Sequence, residues 1–558
     1  MNTSFKLSKQ SMLRMAAVGT LLGLGFSSAA MAGVTTKYHE EVAGLVSAGM
    51  ATRVADMPQD ETMELTLSFQ LHDEDKLDDF LTAVQDPQSP VYHQYMSVEQ
   101  FTHLYGPTQA EIEQTQAWLA GHGFSVKELP DNRHIINFSG RVAEVEAAFN
   151  VKMGVYQDYT GRQFHSPDKA ASMPDLAVQP LAIDGLENSQ PAINLLQHGD
   201  ATQAASSGPG TGPKGNFLPS DIRTAYYGSG SLTGSGQSIG IFSLDGYLTS
   251  DLSLYQSDSG FKWTTPVNNV LVNGYSGKCT GLRCNDGEQI LDIANAIGMA
   301  PGITQILFYE GSSATPIYNQ MASDNKAKVL SSSWAGGGAS DSTDDPIFKE
   351  MAAQGQTFLQ ASGDSAAYSG TGSGKEDPPM GDANIVMVGG TDLTTVSPGG
   401  AWKSETSWSD SGGGYFTSGS MSQPIPSYQT TAGVITSTNK GSTKYRNSPD
   451  LAAEGNFDNF TVSNGKLETG SAGTSFATPR WAGFIALINQ QSVAAGKGTV
   501  GFINPTVYTL GLSSAGATDF HDITSGSNGT YSAAKGYDLV TGWGSPNGST
   551  TINALIGK

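Results

Sequence analysis

Gly470-Ser471-Ala472-Gly473-Thr474-Ser475-Phe476-Ala477-Thr478-Pro479 is the stretch from which the rest of the chain can be read. Small residues lead up to a Ser that opens a helix predicted over 476–490, with Pro479 tolerated in its first turn. At a helix N-terminus a hydroxyl has free backbone N–H groups and a favourable dipole beside it, which an attacking alkoxide and an oxyanion both require. Ser475 could simply cap the helix, the commoner role of Ser at such a place. The Gly-Thr-Ser-x-x-x-Pro context points instead to a nucleophile.

Outward from this helix, β-branched apolar runs alternate with helical patterns. Strands are predicted over 238–244, 328–333, 357–361 and 385–388, and helices over 286–297 and 346–353. Strand–helix–strand alternation predicts an α/β domain with a parallel sheet covered by helices on both faces. This domain is expected to span 216–558.

A Ser nucleophile needs a base. Of nine histidines only His521 follows residue 216, and it comes after Ser475. A subtilisin-type Asp and His would precede the Ser. Glu288 and Asp292 fit the vacancy, because i, i+4 spacing puts both carboxyls on one helix face while Ile290, Ile293 and Ile297 point to the other. Two close carboxyls in a cleft share a proton, so Glu288 can take the Ser475 proton with Asp292 behind it. On an exposed helix the same pair would be only a solvated face. Asp364 follows a predicted buried strand, where ligand sites of open α/β sheets lie, and as a protonated acid it could donate to an oxyanion; otherwise it caps a turn. Asp245, with no His to orient, reads as structural.

Residues 1–32 have the pattern of a secretory signal: Lys6, Lys9 and Arg14, an apolar run, then Ala30-Met31-Ala32. The apolar run falls short of the ~18 residues of a membrane span. Export to the periplasm or the extracellular medium, with no membrane anchor, is expected. Residues 33–190 show a compact α+β pattern, with a strand near 63–69 and helices near 76–84, 109–119 and 141–149. Residues 191–215, rich in Gln, Ala, Ser, Gly and Pro, read as a flexible, protease-accessible linker. A formal charge of −22 excludes nucleic acid as a natural partner. Cys279 and Cys284 could close a small disulfide loop in an oxidising compartment or stay as thiols. Gly370-Thr371-Gly372-Ser373-Gly374-Lys375 is not a phosphate loop, because Ser369 and Glu376 occupy required Gly and Ser/Thr positions.

Taken together, Glu288-x-x-x-Asp292, Ser333-Trp334, Gly363-Asp364-Ser365, Arg446-x-x-Pro449-Asp450 and Gly473-Thr474-Ser475 resemble the sedolisin family of serine-carboxyl peptidases, in the family's order. The stretch from Tyr92 to Phe101 is similar to a signature of the family's activation prodomain. The resemblance implies a subtilisin-like fold preceded by a ferredoxin-like prodomain. It also implies Glu288 as base, Asp292 as its partner, Asp364 as oxyanion acid and Ser475 as nucleophile. By the same likeness Ser333, Trp334 and Gly363 contact substrate, with 331–338 as the pairing edge. Asp522, Asp538 and the carbonyls of Ile523, Ala534 and Gly536 resemble the family's single Ca²⁺ site, although Ala534 stands where Gly is usual. A secreted, monomeric, acid-active endopeptidase follows, acting on polypeptides and made as a self-processing zymogen. Its own prodomain is expected to block the cleft until acid loosens it, with the processing site in 191–215. Residue preferences around the cut bond, and endo- against exo-action, are left open.

Overall fold

The computed structural model describes residues 35–38, 41–199, 208–279, 285–368, 377–419 and 421–558. The signal at 1–32, Cys284, the glycine-rich stretch 370–375 and part of the linker (200–207) lie outside the described residues; Cys279 is disulfide-bonded. No helix among the described residues is long and apolar enough to cross a membrane.

The C-terminal region is built on an eight-stranded sheet. Its strands run in the spatial order Val267–Leu271, Gln305–Glu310, Ser238–Ser243, Val329–Ser332, Thr357–Ala361 and Val386–Thr395, all parallel. The last of these also pairs in parallel with Leu451–Glu454 and antiparallel with Trp402–Ser407. Side chains alternate between faces along each strand. Ile241, Val329, Leu359 and Val386 share one core with Ile290, Ile293 and Ile297 of helix Gly287–Met299 and with Trp481 and Phe484 of helix Thr474–Ala494. Phe242, Leu330, Phe358 and Met387 share the other with Ile317 and Tyr318 of helix Ala314–Asp324 and Phe348 and Met351 of helix Asp341–Ala353. Both faces are therefore covered, as a parallel sheet requires. Helix Asp341–Ala353 starts earlier than the expected 346, with Pro346 inside it.

The N-terminal region forms a separate antiparallel sheet in the order Ser125–Val126, Ile135–Arg141, Thr62–Phe69 and Pro180–Asp184. Helices Gln109–Gly121 and Val142–Phe149 contribute Ile112, Leu119, Val145 and Phe149 to its core. This is the expected α+β unit. It docks through buried polar contacts: the Asn132 amide donates to Glu350 Oε2 at 2.7 Å and to Asn319 Oδ1 at 2.9 Å, and His134 Nδ1 lies 3.4 Å from the same Glu350 oxygen.

The start of the connecting stretch departs from the expected flexible linker. Ala192–Asn194 pairs antiparallel with Trp334–Gly336, and Gln197–His198 pairs antiparallel with Lys466–Ala472. Composition made this stretch read as loose, but its backbone finds strand edges to complete, and those bonds order it.

Candidate active site

Helices Gly287–Met299 and Thr474–Ala494 pack against each other and bring Glu288, Asp292 and Ser475 together, while Asp364 follows strand Thr357–Ala361. Every residue of the first helix is buried, so Glu288 and Asp292 are not a solvated face. Burial and the neighbouring Asp292 charge hold Glu288 well above the usual carboxylate range. The Ser475 hydroxyl opposes this, and neither Glu288 oxygen is closed by a well-formed hydrogen bond. Asp292 is raised by burial, against the Ser333 hydroxyl, which donates to Asp292 Oδ1 at 2.7 Å. Two desolvated carboxyls this close cannot both ionise cheaply, so the pair retains a proton.

Ser475, fully buried, donates its hydroxyl to the backbone carbonyl of Leu195 instead of to Glu288. Leu195 is thereby presented to the hydroxyl with the acid pair behind it. Leu195 N–H donates to the Ser333 carbonyl at 3.1 Å, and Gly199 N–H to the Gly470 carbonyl at 2.9 Å.

Asp364 borders the same carbonyl. Its Oδ1 accepts both the N–H and the hydroxyl of Thr474, each at 2.8 Å, while Thr474 Oγ1 accepts from Gly363 N–H at 3.1 Å. With Oδ1 so engaged, a proton on this carboxyl belongs on Oδ2. A side chain at Gly473 would collide with the Leu195 carbonyl oxygen and come within 2.8 Å of Asp364 Oδ2; φ is 151° there, so both space and backbone demand glycine.

The sequence candidates thus fall in one place: Ser475, Glu288, Asp292 and Asp364 around Leu195, Ser333 beneath Asp292, Gly363 against Thr474, and Trp334 at the head of the paired edge. Thr474 and Gly473 were read from sequence only as the motif around Ser475, and Leu195 was not singled out. The first two adjoin Ser475, and an apolar Leu195-Leu196 pair within a polar stretch was the available signal for the third. Asp245 lies aside, accepting from the Tyr275 hydroxyl at 2.9 Å. His521 stacks on Trp402 at 3.8 Å, is pushed down to about 4 by burial, and has no hydrogen bond to Ser475 among the described residues. Arg446 and Asp450 form a buried ion pair at 2.6 Å that braces the strand beneath the site.

The expected metal residues also converge. Asp522 accepts from Gly536 N–H at 3.1 Å, and Asp538 accepts from Ala534 N–H at 2.9 Å and Thr541 N–H at 2.8 Å. Burial raises both acids, Asp538 to about 7. The carbonyls of Ile523, Ala534 and Gly536 accept no hydrogen bond among the described residues. The left-handed backbone falls at Gly536, with φ 80°, and not at Ala534, so alanine is no obstacle. No group of three or more His, Cys, Asp or Glu side chains suited to a metal occurs among the described residues, so a cation here would rely on backbone oxygens.

A parallel sheet of this order, a hydroxyl at a helix N-terminus and an α+β unit leading into the cleft define a subtilisin-like serine peptidase with an activation domain. The "Pro-kumamolisin, activation domain" profile matches residues 50–183, and that of the "Subtilase family" matches 279–543. Sedolisin of Pseudomonas sp. strain 101 is 30% identical over 541 residues, covering 90% of this chain and 88% of its own. Kumamolisin of Bacillus sp. strain MN-32 is 30% identical, covering 94% and 99%. The solved structure of Pseudomonas sedolisin, a serine-carboxyl proteinase complexed with pseudo-iodotyrostatin, aligns at a TM-score of 0.52 and 27% identity over 62% of this chain and 100% of its own. The chain belongs to the sedolisin family: it is a serine-type peptidase made as a zymogen.

Proposed function

We propose that this chain is a secreted, monomeric, acid-active endopeptidase that hydrolyses proteins through an acyl-enzyme on Ser475 and matures by cutting itself. The observation that carries the reading is the Ser475 hydroxyl bonded to a peptide carbonyl, with Glu288 beside it. Glu288 takes the proton of Ser475 as Oγ attacks, and Asp292, held by Ser333, shares the pair's remaining proton. Asp364, protonated at Oδ2, donates to the oxygen that gains charge, a preorganised donor in a dry site. Glu288 returns its proton to the leaving amine, and water repeats the sequence on the ester.

Acid activity follows from the same residues. The raised Glu288–Asp292 pair keeps its shared proton in acid and loses it as pH rises. Asp522, Asp538 and the carbonyls of Ile523, Ala534 and Gly536 would hold one structural Ca²⁺, whose charge would offset the burial of the two acids. The signal-like N-terminus and the disulfide of Cys279 support export.

The test is casein hydrolysis from pH 3 to pH 9 by the wild type, Ser475→Ala and Glu288→Gln. Activity confined to acid and lost in both variants is expected. Hydrolysis that climbs toward pH 9, or survives Ser475→Ala, would refute the reading.

A further inference from the structure

We infer that the first bond this enzyme cuts is its own Leu195–Leu196 peptide bond, with an apolar residue seated on each side of the cut. The inference rests on the peptidase reading above and adds the register, the bond and the side-chain class. Upstream, 192–194 are strand-paired with 334–336; downstream, 197–198 are strand-paired with 471–472. Two clamps that hold both flanks leave Leu195 and Leu196 as the only residues between them. Of the carbonyls in this segment, it is Leu195's that accepts the Ser475 hydroxyl and lies against the space left by Gly473, beside Asp364 Oδ2.

The two side chains are seated differently. Leu195 is only 3% exposed and joins the apolar cluster that includes Leu244, Trp334 and Ala335. Leu196 is half-buried, and its Cδ2 comes within 3.0 Å of where a Gly287 side chain would begin, with Thr461 Cγ2 alongside that point at 3.2 Å. The missing side chain at Gly287 therefore makes the recess downstream of the cut.

The step balances. Ser475 Oγ bonds to the Leu195 carbonyl carbon and its proton passes to Glu288. The C–N bond to Leu196 breaks, and Glu288 hands that proton to the departing amine. Water then adds to the ester, releasing a Leu195 carboxyl and restoring Ser475. Register in the cleft is what converts general peptidase chemistry into one defined bond.

The purified precursor is brought to pH 4, sampled over seconds to minutes, and its fragments are weighed by mass spectrometry, with Ser475→Ala as control. In parallel, a blocked peptide spanning 190–199 is given to matured enzyme, together with casein. A first fragment boundary at Leu195–Leu196, and a peptide cut at the same bond, are expected. Gly287→Val should slow that peptide at least tenfold more than it slows the same peptide with Ala in place of Leu196. A first boundary anywhere else overturns the assignment while leaving the peptidase intact. Loss of all cleavage, casein included, overturns both.

Discussion

Replacing Glu350 by Gln tests how burial couples the prodomain to pH. The Glu350 side chain has no exposure and receives the Asn132 amide from the prodomain at 2.7 Å. Burial pushes its pKa from 4.5 up to about 8, against the hydrogen bonds from Asn132 and Gln354. A folded-state pKa above the unfolded one means the protonated acid's contribution is complete below 4.5 and disappears as pH rises to about 8. That interval, at ~1.4 kcal/mol per pH unit, corresponds to about 5 kcal/mol. For a chain of this size the unfolding entropy makes ~1 kcal/mol worth about 1 °C in Tm. Thermal unfolding of the Ser475→Ala precursor, which cannot digest itself, should therefore show a fall in Tm between pH 4.5 and pH 8.5 that shrinks by about 5 °C when Glu350→Gln is added. Equal losses in the two precursors would refute the reasoning. The result also says where acid does not act, since lowering pH keeps Glu350 neutral and the clamp in place.

Lys349 faces Asp78 at 3.3 Å and Glu74 at 3.7 Å across the same contact. Asp78→Asn with Glu74→Gln removes both charges facing Lys349 across that contact, and should let processing start at a higher pH, read by gel time courses. Glu288→Gln should slow processing ~10²–10⁴-fold, the usual worth of a general base, with Tm nearly unchanged. Ser333→Ala removes the hydroxyl that lowers Asp292, so the pair should keep its proton to higher pH; the alkaline limb of kcat should move up while KM for a short peptide holds. Chelation of Ca²⁺ should lower Tm by several degrees, and Asp538→Asn should abolish that response.

What the sequence made legible was whatever is local. Apolar runs over 328–333 and 357–361 predicted strands, and the structure sends Val329 and Leu359 to one core and Leu330 and Phe358 to the other. Glu288 and Asp292 are one helical turn apart, so spacing alone put their carboxyls together. The shortage of histidines made that pair the base. What could not be read were meetings between distant segments. Ser333 reaches Asp292 across 41 positions, Asn132 reaches Glu350 across 218, and Ser475 reaches Leu195 across 280. No periodicity records such contacts. The start of the connecting stretch, 192–198, was misread for a related reason: composition reports what a segment could do in isolation, and not which unpaired strand edges wait for it elsewhere.

The two clamps around residues 195 and 196 have unequal fates. When the prodomain departs it takes the upstream clamp with it, but 197–198 are zipped to 471–472 on the catalytic body itself. With the first cut at Leu195–Leu196, the newborn protease would start with its own beginning lodged where leaving peptides must pass. Each molecule carries this tenant covalently, so a time course of external digestion should open with a lag that dilution does not shorten. The lag should end only when that tail is pulled free or trimmed.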